Sequence, residues 1–556
     1  MVDRHTPGEV CAESTIEKLP KPCLLPIAVR VYPQRSGEEQ EGRPQKSWRR
    51  PKAMFVFDTE TRIDATQRLT FGGYRFVVDG QCLEEGLFCA DDLPKRDRSV
   101  LKKYVEAHRA DTSQGNRRVQ LLSRFEFLKK IYKTAYRSRC LLVGFNLPFD
   151  LSRLAFDVVP ARRRFAGGFS LGLWTYFDKA GCEHVDPNRP RICIKQIDSK
   201  RALKGFAGHY NTDEIDRIPE GSKTGKVEEG YIFRGHFLDL RTLAFALTDI
   251  GYSLESACKA FGVEHGKQRV ARHGEVTETY IDYNRGDVRA TAELAVKLLE
   301  EFEKHPISLQ ATKAYSPASI GKAYLREMGI EPILKRQPDF PQKYLGFAQS
   351  AFFGGRTSAH IRKIPVPVVY TDFLSMYPTV NSLMGLWAFV TARRIKVRHC
   401  RAEVASFLRK LSPKDLFKPQ TWKQLTGFVK VVPNGDVLPT RSKYSTSTND
   451  WQVAVNYLHA GDHEANKELW FSLPDVVASV LLTGKIPNIV DAFRLEPRGT
   501  LPNLKSTKLR GIIEVDPKKR DFFKVVIEER KRLSSRANIS QDEKKRLDRG
   551  LSNNDS

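Results

Sequence analysis

Short apolar runs that lead into acidic residues recur along the chain and indicate buried strands ending at charged positions. Residues Ala53–Phe57 form one run and lead into an Asp-Thr-Glu sequence. Residues Cys140–Phe145 form another, and the helical pattern after it contains Asp150. Residues Tyr280–Phe302 carry apolar positions at the spacing of a long amphipathic helix. Buried strands that alternate with helices predict an α/β protein.

The rest of the chain divides by composition. Residues 1–50 lack sustained periodicity, and we expect a disordered basic arm there. Residues 98–140 have a helical composition, whereas the Gly-, Pro- and charge-rich stretch 178–230 indicates an insertion or a long loop. Further on, Pro365–Tyr370 is a candidate strand, and Asp521–Arg536 predicts a basic amphipathic helix.

Composition and charge narrow the possible functions. The chain has 556 residues, enough for several domains, and 40% of them are hydrophobic, which excludes global disorder. Lys and Arg number 92 against 66 Asp and Glu, so the formal net charge of +26 favours a polyanionic partner such as nucleic acid, although a merely basic, well-solvated surface remains an alternative.

The same composition bears on location. No apolar run approaches the roughly 20 residues of a membrane span, and the first residues lack the apolar core of a secretory signal. The nine cysteines never form a Cys-x-x-Cys pair. We therefore expect a protein that is neither secreted nor bound to a membrane, in a reduced intracellular compartment that contains DNA, with no zinc ribbon.

Four acidic residues at the ends of apolar elements are the most informative chemical feature. Asp58 and Glu60 are two apart on a predicted strand and therefore share one face. Asp150 follows the next strand, and Tyr283 and Asp287 are four apart on one face of a predicted helix. Carboxylates suit Mg²⁺ or Mn²⁺, and a buried cluster of them would repel itself without cations. The set predicts a two-metal site able to hydrolyse a phosphodiester.

Each part also has an ordinary explanation when taken alone. An Asp-x-Glu pair is commonly a solvated strand end, Asn-x3-Asp is commonly a turn or helix cap, and Tyr-x3-Asp often occurs by chance. In this order and placement, however, the three segments resemble the exonuclease motifs of the DnaQ-like 3′–5′ exonucleases, in the variant found in family B DNA polymerases. The matching sequences are Phe-Asp-Thr-Glu at 57–60, Asn-Leu-Pro-Phe-Asp at 146–150 and Tyr-x3-Asp at 283–287.

The resemblance implies a fold and a set of roles. It implies an RNase H-like exonuclease domain with two Mg²⁺ or Mn²⁺ ions as cofactors and the single-stranded 3′ end of DNA as substrate. The implied metal ligands are Asp58, Glu60, Asp150 and Asp287. Tyr283 would position the attacking water, and Asn146 and Phe149 would contact the frayed 3′ end.

A second group of segments resembles the start of a family B polymerase domain. Phe-Phe-Gly-Gly-Arg at 352–356 is similar to the segment that joins the two domains, and 368–378 is similar to polymerase motif A, with Met376 where leucine is usual. Residues 527–532 are similar to the first helix of the fingers. The resemblance implies primer–template DNA contacts from Gly354, Gly355 and Arg356, a palm metal ligand at Asp372, and nucleotide contacts from Ser375, Tyr377 and Arg530.

Two motifs of that family do not occur in this sequence. The second fingers motif and the Asp-Thr-Asp motif that supplies another palm carboxylate are missing, and the Asp-His-Glu sequence at 462–464 lies in a polar stretch before the fingers helix. We therefore expect no polymerisation by this chain alone, with dNTP binding only if another polypeptide supplies the missing part. The expected order is an exonuclease domain at 51–305, a connecting segment at 306–360, an incomplete α+β palm with an insertion at 361–516, and the first part of the fingers at 517–556.

Two alternatives remain open at this stage. The chain could be a non-catalytic DNA-binding remnant of a broken polymerase gene, or a stand-alone DNA exonuclease. The sequence leaves the oligomeric state undecided.

Overall fold

The computed structural model describes residues 50–113, 115, 117–207, 233–266, 273–352, 361, 364–371, 373, 375–432, 436–438, 441–443, 452–454 and 468–534. They form two compact units, one from residues 50–330 with 503–534 and the other from 331–502. The protein is of the mixed α/β kind, as predicted, with a six-stranded mixed sheet and several antiparallel sheets. Within the described ranges, no helix is both long and apolar enough to cross a membrane.

The first unit is built on the six-stranded sheet. The strands of this unit between residues 50 and 330, which include the six of the large sheet, are in chain order β1 (Ala53–Thr61), β2 (Leu69–Val78), β3 (Gln81–Cys89), β4 (Gln120–Ser123), β5 (Leu141–Gly144), β6 (Asp157–Pro160), β7 (Phe169–Gly172), β8 (Thr175–Phe177), β9 (Glu183–Val185), β10 (Ile192–Asp198), β11 (Arg201–Phe206) and β12 (His236–Asp239). The large sheet has the order β12-β5-β1-β2-β3-β4. Strands β1, β2 and β3 are antiparallel neighbours, while β5 is parallel to both β1 and β12. The carboxyl ends of β1, β5 and β12 therefore meet at one edge.

Helices cover this sheet. They are α1 (Lys95–Ala107), α2 (Arg124–Ile131), α3 (Leu147–Leu154), α4 (Leu240–Thr248), α5 (Leu254–Phe261), α6 (Glu278–Glu303) and α7 (Pro317–Glu327), with a π-helical turn at Tyr132–Arg137 and 3-10 turns at Arg163–Phe165 and Ala311–Lys313. Side chains cap several of them, as Ser123 does for α2 and Thr277 for α6. The predicted helix at 280–302 is confirmed, and it extends slightly at both ends.

Aromatic packing explains why β1 forms and stays buried. Phe55 and Phe57 are fully buried, and both rings contact Phe127 of α2. Phe127 also stacks on Phe88 of β3. Burying each such side chain contributes about 1.5–3 kcal/mol, so this cluster fixes α2 against the sheet. The predicted strand at 53–57 is confirmed, as is the strand at 140–145 with its following helix.

Two local predictions are wrong. Residues 120–123, expected to be helical, form β4 because Leu121 and Leu122 pair in parallel with Leu87 and Phe88 of β3. The expected loop or insertion at 178–230 contains β9, β10 and β11, and the last two belong to an antiparallel sheet of order β11-β10-β7-β6. Pairing with more distant strands, β3 for β4 and β7 for β10, overrides local composition in both places, while β10 and β11 themselves form a tight hairpin. Residues 208–232 and the expected arm before residue 50 lie outside the described residues.

The second unit has its own sheet and two cores. Its strands are β13 (Arg394–His399), β14 (Gly427–Val432), β15 (Arg441–Lys443), β16 (Gln452–Ala454), β17 (Leu469–Ser472) and β18 (Asn488–Arg498), and its helices are α8 (Ile333–Arg336), α9 (Gln342–Ser350), α10 (Met376–Leu383), α11 (Trp387–Thr391), α12 (Arg401–Lys410), α13 (Pro419–Lys423) and α14 (Leu473–Thr483), with a 3-10 turn at Pro413–Phe417. The main sheet is antiparallel with the order β13-β18-β14-β17. One core includes Val404 of α12 and Val476 of α14, and another includes Tyr344 of α9 and Phe493 of β18.

The candidate strand at 365–370 is not a strand. These residues have no regular secondary structure, and Val368, Val369 and Tyr370 are each more than 80% exposed. The β-branched and aromatic residues there have high strand propensity, but a strand also needs a neighbouring strand for its backbone groups. The described part of the second unit does not supply one.

The chain then returns to the first unit. It forms the hairpin β19 (Thr507–Leu509) and β20 (Ile513–Val515) and ends in α15 (Phe522–Ser534). The backbone N–H of Arg510 donates to the hydroxyl of Tyr324 on α7. The amphipathic helix predicted at 521–536 is confirmed, with Phe522, Val525 and Val526 buried.

Ion pairs hold α6 against the sheet. The guanidinium of Arg285 donates two hydrogen bonds to Glu85 of β3, each of 2.9 Å, and the Glu85 side chain is only 2% exposed. Arg75 of β2 is a second cation beside Glu85, at 3.3 Å. Despite burial, these two arginines keep the pKa of Glu85 below its usual value.

We expect that replacing Arg285 with alanine lowers the free energy of unfolding by about 3 kcal/mol, because a buried carboxylate loses a cation. The matched control is Lys259→Ala, which breaks the exposed pair with Glu255 along α5 and should lower it by about 0.5 kcal/mol or less. Urea unfolding of both variants measures the difference. Equal losses would show that the buried pair does not hold α6 in place.

Candidate functional site

The acidic pair of β1 faces α6. Asp58 and Glu60 are two residues apart on the strand, so both side chains lie on the same face of the sheet. Gly73 of β2 is directly opposite Asp58 in the antiparallel register. Because Gly73 has no side chain, α6 can approach Asp58 closely at this point. A Cβ on Gly73 would lie 2.6 Å from the amide oxygen of Asn284.

Helix α6 contributes hydrogen-bond donors to this pair. The side-chain nitrogen of Asn284 lies 3.1 Å from Asp58 Oδ2 and 3.2 Å from Glu60 Oε1. The hydroxyl of Tyr280 donates to the other oxygen of Glu60. Neither Tyr280 nor Asn284 was identified from the sequence. Their positions one turn before Tyr283 and Asp287 were visible, but only the register against β1 shows what they touch.

The predicted Tyr283 and Asp287 lie together on the same helix. The hydroxyl of Tyr283 donates a hydrogen bond to the carboxylate of Asp287, and both side chains are buried. Burial, followed by the charge of Asp287, raises the pKa of Tyr283 far above its usual value, so the phenol keeps its proton. The negative charges of Glu60 and Asp58 act in the same direction, which places Tyr283 in the field of the acidic pair.

Asp150 reaches the same sheet edge from the start of α3. Its Oδ1 accepts hydrogen bonds from the hydroxyl of Thr59 at 2.7 Å and from the Thr59 backbone N–H at 3.3 Å. Thr59 stands between Asp58 and Glu60, so Asp150 contacts β1 next to the acidic pair, through a side chain that points to the opposite face of the strand. Desolvation raises the pKa of Asp150 to about 7, and the charges of Asp239 and Glu60 add to the rise.

Asp239 is a fifth carboxylate at this edge that the sequence analysis missed. It ends β12, opposite Gly144 of β5, and it caps α4 by accepting from the backbone N–H groups of Arg241 and Thr242. Its other oxygen pairs with the ammonium of Lys204 at 3.1 Å, and both side chains are about 95% buried. An apolar strand followed by an acid and a helix is the same signal that identified Asp150, and it was present here in Phe-Leu-Asp.

The donor chemistry of these residues fits a hard divalent cation, because all the acids offer oxygen ligands. Asp58, Glu60, Asp150 and Asp287 are the residues that could hold one. Among the residues that the structure describes, however, no group of three or more His, Cys, Asp or Glu side chains is arranged to bind a metal ion. The acidic pair is bonded to α6 and Asp150 to Thr59, so coordination requires these side chains to exchange hydrogen bonds for a cation.

The residues expected to contact a 3′ end lie beside Asp150. Asn146 precedes α3 without capping it through its side chain, and Phe149 lies in the first turn. Both are half-buried, so part of each faces solvent. The guanidinium of Arg153 lies 4.7 Å from the centre of the Phe149 ring. An aromatic ring next to a cation suits a nucleobase and its phosphate.

The structure describes little of the predicted nucleotide site. Gly354, Gly355, Arg356 and Asp372 lie outside the described residues. Ser375 has a left-handed backbone with φ of 52°, and the Tyr377 side chain is 65% exposed at the start of α10. Arg530 lies on α15, but its side chain is outside the described set. These roles therefore stay predictions.

Comparisons with known proteins add no relative. No protein-family model matches the chain, and no curated protein matches it at a significant level.

We expect Asp150 to make the metal-free protein less stable as the pH rises. Its pKa is about 7 when folded and about 3.9 when unfolded. Between these values the folded protein holds a proton that the unfolded chain has lost, and the stability linked to it disappears as the pH rises through the folded value.

Asp150→Asn keeps an acceptor for Thr59 and removes this titration. The free energy of unfolding of the variant minus that of the wild type should therefore grow from about pH 4 to about pH 7 and level off above that. Urea unfolding in the presence of a chelator measures it. A difference that does not change with pH would contradict the assignment.

Proposed function

We propose that this chain is a metal-dependent 3′–5′ exonuclease of DNA. One observation carries the proposal: Asn284 of α6 bonds to Asp58 and Glu60, which lie 226 and 224 residues earlier, at the edge where Asp150 also meets β1. Three segments chosen for their motifs are thus neighbours in space. Chance occurrences of short acidic motifs have no reason to converge in this way.

The sheet topology supports an RNase H-like fold for the first unit. Such a sheet has a three-stranded antiparallel meander followed by strands parallel to its first strand. Strands β1, β2 and β3 form such a meander, and β5 and β12 lie parallel to β1 on its other side. The candidate residues lie at the carboxyl ends of the parallel strands and on α6, which packs across them.

The candidate residues would have different roles in the reaction. Asp58, Glu60, Asp150 and Asp287 would hold two Mg²⁺ or Mn²⁺ ions. Bound there, such ions supply an activated water and stabilise the leaving oxygen of a phosphodiester. Tyr283, whose proton is held by Asp287, presents its oxygen to orient that water. The buried setting excludes bulk water and strengthens each of these interactions.

The side chains near the site support a nucleic acid as the substrate. Phe149 and Asn146 are placed to contact a terminal base and sugar, and Arg153 can contact a phosphate. The net charge of +26 favours a polyanion overall. The similarity of residues 352–378 to a family B polymerase supports DNA as the nucleic acid, with proofreading as the setting. The expectation that this chain alone does not polymerise DNA stays a prediction from sequence.

The test is release of mononucleotides from 3′-labelled single-stranded DNA with Mg²⁺ or Mn²⁺. We expect Asp58→Ala/Glu60→Ala to lower the rate by about three orders of magnitude, because two ligands of the catalytic ions are removed. The matched control is Asp462→Ala/Glu464→Ala, an acidic pair with the same spacing that should retain the wild-type rate.

The outcome also separates the alternatives. DNA binding without any release by the wild type would favour a non-catalytic DNA-binding protein. Equal release by the wild type and the Asp58/Glu60 variant would trace the activity to a contaminant or another site, and the proposal would fall.

A further inference from the structure

Asn284 occupies an unusual position for a neutral side chain. It is fully buried, and its single amide nitrogen lies between two carboxylates, 3.1 Å from one and 3.2 Å from the other. An amide nitrogen carries two hydrogens, so it can donate one to Asp58 and one to Glu60. Its oxygen has no hydrogen-bond partner within the described part of the chain. The side chain is therefore engaged through its donor end alone.

The sheet is shaped to admit this side chain. Gly73 lies opposite Asp58 on the same face, and any side chain there would collide with the Asn284 oxygen. Tyr280, one turn earlier, donates to the remaining oxygen of Glu60. Two neutral donors of α6, Asn284 and Tyr280, thus make hydrogen bonds to the acidic pair.

Neutral donors and a cation compete for the same oxygens. Two adjacent carboxylates, here the buried Glu60 and the half-buried Asp58, repel each other, and hydrogen bonds from the amide partly offset that repulsion. A divalent ion would approach carboxylate oxygens to about 2.1 Å, and it would repel the positive end of an N–H dipole that points at the same oxygens. An ion that bridged these two oxygens from the side of α6 would take the position that the amide hydrogens occupy.

We propose that Asn284 is a positioning residue that holds Asp58 and Glu60 together in the metal-free protein and gives up its hydrogen bonds when a cation binds. This inference rests on the proposed function and adds a step to it. It also accounts for an arrangement in which the described acids are bonded to neighbouring side chains and no three of them converge.

The test compares the wild type with Asn284→Ala and with Asn284→Leu, which keeps the volume of the side chain and removes both N–H groups. Mn²⁺ affinity is measured by electron paramagnetic resonance at one fixed, mildly alkaline pH. Melting temperature is measured with chelator present. We expect both variants to melt lower without metal and to bind Mn²⁺ about tenfold more tightly, because no amide hydrogen bond is given up on binding.

Thr291→Ala is the matched control, since Thr291 is almost as buried and lies about two turns further along α6. It should leave the Mn²⁺ affinity unchanged whatever its effect on melting. If both Asn284 variants bind Mn²⁺ no more tightly than the wild type does, the inference about Asn284 is wrong, while the proposed function stands. Failure of the wild type to bind Mn²⁺ overturns the proposed function as well.

Discussion

The attachment of helix α6 to the six-stranded sheet is the interaction on which the candidate site depends. Arg285 ties the helix to Glu85 on β3, and the next residue back, Asn284, bridges the acidic pair on β1. One helix therefore connects the stability of the first unit to the spacing of the candidate ligands. Any movement of α6 relative to β1 changes the distances from Asp287 on the helix to Asp58 and Glu60 on the strand.

The site concentrates negative charge in a region that water hardly reaches. Burial raises the pKa of Asp150, and neighbouring carboxylates add to the effect. The protein offsets part of this charge without a metal, through the amide of Asn284, the phenol of Tyr280 and the ammonium of Lys204. Such crowding of like charges lowers stability.

In the second unit, by contrast, the residues of the candidate strand are exposed. Its antiparallel sheet contributes to two apolar cores, but residues 365–370, a candidate strand in the sequence, are exposed. A run of valines and an aromatic does not make a strand by itself, because its N–H and C=O groups need a neighbouring strand. The local sequence has a high strand propensity, but the described residues include no neighbouring strand for it to pair with.

Sequence alone determined the local features of this protein: where β1 and β5 lie, that 280–302 is a helix, and which acids stand at their ends. These depend on periodicity and on neighbours a few residues away. Only the tertiary structure decided that residues 120–123 pair with β3, that β10 pairs with β7, and that Tyr280, Asn284, Lys204 and Asp239 lie at the candidate site. Those facts depend on register and on contacts between residues far apart in the chain, which local patterns do not encode.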